Sequence, residues 1–241
     1  RKTLVFTADR SLLGGKAEAP VTLRITFDNG QKTHSKLLFV ADALDLPVAE
    51  GKTDNDKEGY LFVERQGYCS MRAEHFSEKK DVDGKGFRSI DYLGREGAAI
   101  KAFPAMEYYE DPKTAPYVKY TFMAKQTGTY KLDLHILSRN PVVKGGRMRF
   151  AVSANEGAPQ EVYSVSEEYY TEWFHKEWAD GVLNHARVVT TEVAIREGEN
   201  DIYVYAGEPG VILEKLVLYP VEAELPESYF GPEESCFVSS K

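Results

Sequence analysis

The sequence predicts an all-β chain, a jelly-roll-like β-sandwich preceded by a short β-rich segment. Three observations carry this. Short runs rich in β-branched and aromatic residues recur along most of the 241 residues, turn signals separate them, and no repeated helical spacing of apolar positions competes with them. The 15 tyrosines and 12 phenylalanines suit half-buried strand faces, and a 42% hydrophobic content can fill a core of ordinary size.

Taken in order, residues 3–6 form a short strand candidate and residues 21–27 alternate cleanly up to Asp28-Asn29-Gly30. An Asn-Gly pair supplies the positive φ of a tight hairpin, and residues 36–40 supply a return strand. Residues 50–58 are polar and rich in breakers, which marks a linker and puts the boundary near residue 57. Residues 1–57 are therefore read as a β-rich lead-in or the tail of an upstream interdomain segment, and 58–241 as the sandwich. The second part opens on two strands around Gly67, because Leu61 and Val63, then Cys69, Met71 and Ala73, alternate with polar neighbours. Residues 77–87 are charged and carry Asp83-Gly84-Lys85-Gly86, a surface loop by composition. Strand candidates follow at 117–123, 129–137, 147–153, 160–165, 187–195, 201–206 and 211–219, separated by glycine-bearing turns such as Lys144-Gly145-Gly146 and Glu208-Pro209-Gly210. Only 167–185 breaks the pattern: Tyr169, Tyr170, Trp173, Phe174 and Trp178 crowd there as a loop or short helix.

Charge and composition exclude several classes. The net charge is −8 and no window gathers enough Lys and Arg to neutralise a run of phosphates, which argues against nucleic acid. No apolar run approaches the ~20 residues that cross a bilayer, so no membrane partner is expected. No signal peptide is seen and the first residue is Arg1, so a processed protein or an excised fragment is expected. Cys69 and Cys236 form no CxxC pair; Cys69 falls on an inward strand position, which favours a buried thiol over a disulfide with Cys236. Phosphate loops, nucleophile elbows and dinucleotide fingerprints are lacking.

The order of landmarks is informative. Residues 59–64 with 67–75, then residues 92–104 around Gly94-Arg95, Arg149-Phe150-Ala151-Val152-Ser153 before Pro159-Gln160, and residues 209–218 resemble successive segments of the C-terminal domain of family 115 glycoside hydrolases, the xylan α-glucuronidases. Ser228-Tyr229-Phe230-Gly231-Pro232-Glu233-Glu234-Ser235 resembles the motif on which those enzymes end, so the resemblance spans roughly residues 59–235. It implies a non-catalytic accessory sandwich at the end of a larger secreted or periplasmic enzyme, supporting or capping a catalytic domain upstream in the same polypeptide or docking on a second protomer as a homodimer. It is also similar to calcium-dependent carbohydrate-binding sandwiches. In that comparison Glu74 and Glu214 match carboxylate positions that hold calcium, while Arg72 stands where another Glu is usual; a Glu74–Arg72 or Glu74–Lys215 pair is the plain alternative. No other cofactor is implied.

Sugars lay C–H faces on aromatic rings while polar groups meet their hydroxyls. Trp173, Tyr169 and Tyr170, with Asn184 and His185 and with Arg187 nearby, are the best such collection, and plant glucuronoxylan is the polymer the resemblance suggests. A uronate carboxylate takes an arginine fork, for which Arg95 and Arg139 are the candidates; both could instead hold loops by bonding backbone carbonyls. Trp178 reads as a core plug, and His75 and His135 as packed or solvated strand residues. Hydrolysis needs two carboxylates about 5 to 10 Å apart. None of the 38 acidic residues sits in an apolar setting that singles it out, so this chain alone is not expected to be catalytic. The alternatives are an independent carbohydrate-binding module for acidic xylan and a self-contained glycoside hydrolase.

Overall fold

A computed structural model describes residues 17–26, 32–41, 60–235 and 237–239. The chain divides into two compact units, Arg1–Pro47 and Val48–Lys241. In the first, β1 (Ala17–Thr26) pairs antiparallel with β2 (Lys32–Ala41), from Thr26 opposite Lys32 out to Ala17 opposite Ala41. The Asn29-Gly30 turn, the strand candidate at 3–6 and the boundary near residue 57 lie outside the described residues.

The second unit is a β-sandwich. Its strands are β3 (Tyr60–Val63), β4 (Cys69–Arg72), β5 (Glu78–Lys80), β6 (Gly86–Asp91), β7 (Ala98–Phe103), β8 (Tyr117–Ala124), β9 (Gly128–Leu137), β10 (Arg149–Ala154), β11 (Gln160–Tyr163), β12 (Ala186–Ile195), β13 (Gly198–Tyr205), β14 (Ile212–Pro220) and β15 (Phe237–Ser239). Among the described residues one helix, α1 (Lys176–Asn184), precedes β12. A seven-stranded sheet runs β11-β10-β13-β8-β3-β15 with β5 also on β8, and a six-stranded sheet runs β12-β9-β14-β7-β6 with β4 also on β14.

Alternation builds the core. Val118, Tyr120 and Phe122 of β8 and Ile202 and Val204 of β13 point inward from the larger sheet; Tyr130, Leu132, Leu134 and Ile136 of β9 and Leu216 and Leu218 of β14 meet them from the smaller one. Fully burying each such side chain contributes on the order of 1.5–3 kcal/mol.

The two strands at the Gly67 turn are present but do not form a hairpin within one sheet. Arg65 and Tyr68 exchange backbone bonds of 2.9 and 3.1 Å around Gln66 and Gly67, both at positive φ, and the chain then splits. β3 joins β8 and β15, whereas β4 joins β14 in the other sheet. Phe62 rather than Leu61 enters the core, set against the Phe237 ring at 5.6 Å. The stretch read as a surface loop, 77–87, holds β5 and the start of β6; β5 is exposed throughout, so it shows no alternation.

β9 and β14 are buried on both faces. On the outer face Lys215 of β14 stands opposite His135 of β9, and Val217 opposite Asp133, and all four are buried. The segment 228–235 and the turn 92–97 cover Lys215 and His135, whereas Asp133 accepts from Thr190 and Tyr219; the cover positions the site described next. Among the described residues no helix is long and apolar enough to cross a membrane.

Candidate functional site

The terminal segment crosses the six-stranded sheet as a strap, and its anchor is a buried amine. Lys215 is 1% exposed; its Nζ donates to the carbonyls of Phe230 (3.1 Å) and Pro232 (2.9 Å) and pairs with the Glu96 carboxylate at 2.6 Å. Further along, Ser70 Oγ donates to the Pro232 carbonyl, the Ser70 N–H donates to Ser235 Oγ (2.9 Å) while the Ser235 N–H donates to the Ser70 carbonyl (2.8 Å), and Glu234 accepts from the Arg72 N–H (2.9 Å) while meeting His75 Nδ1 at 2.8 Å. Gly231 lies on the His135 ring: a Cβ there would sit 2.9 Å from Cε1, and its φ is +77.

The turn 92–97 delivers Arg95 beneath the strap. Gly94, at φ +84, approaches Glu214 so closely that a Cβ would fall 2.8 Å from Oε1. Arg95 then spends its guanidinium three ways: Nε on Glu214 Oε2 (3.0 Å), Nη1 on the Tyr229 carbonyl (2.8 Å) and Nη2 on His135 Nδ1 (2.8 Å). Burial, then the charges of Arg95 and Lys215, push His135 down to about 3. The ring is therefore neutral, and with Nδ1 accepting from Arg95 its proton sits on Nε2.

Beside the strap opens a cleft of about 440 Å³, with Arg95, His135, Ser228 and Tyr229 on one side and Asp180, Asn184 and Arg187 on the other. α1 forms that second wall, docked through Gly181, where a Cβ would meet Ser138 Oγ at 2.5 Å and Arg187 Nε at 3.2 Å. Arg187 stacks on the Tyr169 ring with its charge centre 4.6 Å from the centroid, donates to the Tyr169 hydroxyl (2.9 Å) and to the Arg139 carbonyl (2.9 Å).

The sequence-derived candidates separate accordingly. Arg95 and Asn184 line the cleft. Tyr169 supports it from behind, holding Arg187 and donating to Asn140 at 2.6 Å. His185 closes α1 in the left-handed conformation, exposed, with its carbonyl accepting from Ser138. Trp173 and Tyr170 join Phe174 and His175 in an exposed aromatic cluster on the loop before α1, and Trp178 is half-buried outside the core. Arg139 offers its carbonyl to the site, while its guanidinium faces Lys101, whose ammonium is pushed down by burial and then by that charge. His135, read as a packed or solvated strand residue, is part of the cleft; only the strap, distant in sequence, reveals it.

Glu74 and Glu214 each face an arginine. Arg72 Nη2 meets Glu74 Oε1 at 2.7 Å and Arg95 holds Glu214, and in each carboxylate the second oxygen is buried without a partner. Burial raises both groups above the usual carboxylate range. Among the described residues no group of three or more His, Cys, Asp or Glu side chains converges on one point, whereas calcium takes six to eight oxygens. The donor set is one of separate carboxylate–guanidinium pairs. Cys69 is a free, buried thiol that burial pushes up; Cys236 lies outside the described residues.

The family described as the Glycosyl hydrolase family 115 C-terminal domain matches residues 61–234. No curated protein matches the chain. Among solved structures, a family GH115 4-O-methyl-α-glucuronidase with specificity for decorated arabinogalactans aligns at 21% identity and a TM-score of 0.50, over 66% of this chain and 18% of that one. The chain thus spans under a fifth of that enzyme and shares its fold in the aligned part. An exo-β-1,3-galactanase from Phanerochaete chrysosporium aligns at 17% identity and TM-score 0.43, covering 63% and 29% of the two chains. A family 35 carbohydrate binding module from Clostridium thermocellum aligns at 14% identity and TM-score 0.42, covering 62% and 97%.

Proposed function

Because the chain belongs to the glycosyl hydrolase family 115 C-terminal domain family, we propose that it serves as the non-catalytic accessory sandwich of a xylan α-glucuronidase-like enzyme, supporting or capping a catalytic domain upstream in the same polypeptide. The observation that carries this reading is an apolar surface. Trp173 is 81% exposed and packs on Phe174, 59% exposed, which also meets Tyr170; Leu183 (73%) and Val182 on α1, Val188 on β12 and the Tyr229–Phe230 ring pair on the strap are exposed as well. So many large apolar side chains left in water suit docking against another domain or a second protomer. An enzyme of this class working on plant polymers would act outside the cytoplasm, secreted or periplasmic.

Contact with glucuronoxylan is the second reading, favoured by the polar cleft beside that face. Either role leaves Glu74 and Glu214 in arginine pairs and needs no metal. The docking reading is tested by placing Trp173→Ser with Leu183→Ser in the chain alone and in the chain joined to its catalytic domain. Both positions are exposed, so the isolated variant should melt as the parent does, while the joined variant should lose several degrees of thermal stability. Equal melting of joined parent and joined variant would leave this face in solvent and end the docking reading.

A further inference from the structure

Phe87 of β6 and Ile100 and Ala102 of β7 turn toward the core, so strand alternation puts Arg88, Lys101 and Phe103 on the outer face of the six-stranded sheet. There Arg88 stands directly opposite Lys101, and the guanidinium carbon of one and the Nζ of the other each lie 5.7 Å from the centre of the Phe103 ring. On its other side Lys101 faces the buried Ile212 of β14. Arg139, which follows β9, adds a third cation: a Cβ on Gly210, just before β14, would sit 3.8 Å from its Nε, and its charge acts on Lys101.

Three neighbouring cations are thus left together in a chain where 38 acidic residues outnumber 30 Lys and Arg. Among the described residues none of the three has a carboxylate within ion-pair distance. The acids nearest in sequence or on the same sheet are committed elsewhere, Glu107 to Lys85, Glu96 to Lys215 and Glu214 to Arg95. Like charges directly opposite on paired strands repel. Lys101 is also half-buried, and burial, then the Arg139 charge, push its ammonium down. Negative charge laid across this face would relieve both costs.

The form of the patch selects its occupant. The hollow that Lys101 borders, with Phe87, Phe150 and Leu213, has about 20 Å³, room for a water and not for an organic anion. The cations instead spread across the sheet from β6 toward the end of β9, over strands about 4.8 Å apart, which suits an extended chain bearing several charges. A sugar polymer wants an open ring face and acceptors for its hydroxyls. Here both Arg88 and Lys101 already meet the Phe103 ring, and the patch offers donors without a free carboxylate. A net charge of −8 repels a phosphodiester polymer. We propose that this face docks an acidic segment of a partner polypeptide, an extended stretch whose carboxylates meet Arg88, Lys101 and Arg139. Each arginine takes a carboxylate as a fork and the lysine as a point charge.

This surface goes beyond the exposed aromatic face: it works through charge, and it stands even where the Trp173 face stays in solvent. The test is fluorescence anisotropy of a labelled hexaglutamate peptide with the full 241-residue chain at low salt, with hexaglutamine, inorganic phosphate and a galacturonate oligosaccharide as competitors. Hexaglutamate should bind saturably, weaken steeply as salt rises, and push the Lys101 ammonium back up when that amine is titrated by NMR. Arg88→Gln, at an exposed position, and Lys101→Gln should each weaken the peptide about ten-fold. Lys113→Gln removes the same charge from another exposed site and should leave the affinity unchanged. Equal losses in all three variants would assign the binding to the overall field of the chain and overturn the site. Displacement by phosphate or by the galacturonate oligosaccharide as readily as by unlabelled hexaglutamate would overturn the polypeptide assignment, as would competition by hexaglutamine. No binding at low salt ends the proposal.

Discussion

His135 shows how a single residue can read as ordinary in the sequence and unusual in the fold. Strand alternation correctly puts it on the outward face of β9, where water would normally hold a histidine near 6.5. The strap closes that face, and burial with Arg95 and Lys215 drives the imidazole to about 3. The unfolded chain therefore takes up a proton as pH falls through 6.5 while the folded chain does not, until near 3. Stability from this residue is complete above 6.5 and declines through that window, by up to a few kcal/mol. Glu74 and Glu214, raised by burial, act with the opposite sign and gain relative stability as pH falls. Comparing His135→Gln with the parent cancels those carboxyls, so the variant's melting temperature should fall less steeply between pH 7 and 4. Parallel profiles would mean that the ring titrates freely. Arg95 and Asn184, singled out in the sequence as chemistry-bearing types in a turn and a loop, both line the cleft; the acceptor role of His135 Nδ1 depended on a partner 40 positions away.

At the scale of elements, the strands that announced themselves are those with one dry face and one wet face, such as β8, where every second residue is buried. β5 lies exposed and β6 has most of its length at the sheet margin, so both lacked the two-residue signal and the stretch read as a loop. Composition marked 167–185 as loop or helix, and α1 occupies its second half. The strap was visible as a motif, but its work depends on Lys215, which nothing local distinguishes from a solvated lysine. Its three acceptors are the Phe230 and Pro232 carbonyls and the Glu96 carboxylate. Lys215→Met keeps the stem and removes the donor, leaving polar groups stranded at a cost of roughly 2–4 kcal/mol. The strap should loosen before the sandwich melts, so chymotrypsin should cut at Tyr229 or Phe230 well below the melting temperature. A cleavage pattern like the parent's would show that Ser70, Arg72 and His75 suffice to hold it.

Across the whole sandwich, the class was readable from periodicity, but the pairing of strands was not, because register and partner are set by contacts distant in sequence. The clearest case is β3 and β4, adjacent in the chain through a tight turn yet committed to opposite sheets. The outer face of the smaller sheet is tied together by arginines. Arg72 bonds Glu74, the Glu96 carbonyl and, through its backbone, Glu234, so it joins β4, the turn at 92–97 and the strap; Arg95 joins that turn to β14, β9 and the strap. A calcium ion placed near Glu74 or Glu214 would have to displace a guanidinium already neutralising the carboxylate, at a cost that ordinary millimolar calcium must exceed. We therefore expect the melting temperature of the chain to move by less than about 1 °C between excess chelator and 5 mM calcium, since a cation binding only the folded state would raise it in proportion to RT ln(1 + [L]/Kd). A calcium-dependent rise of several degrees would place an ion on the folded sandwich, and its loss in Glu74→Gln would locate that ion beside Arg72.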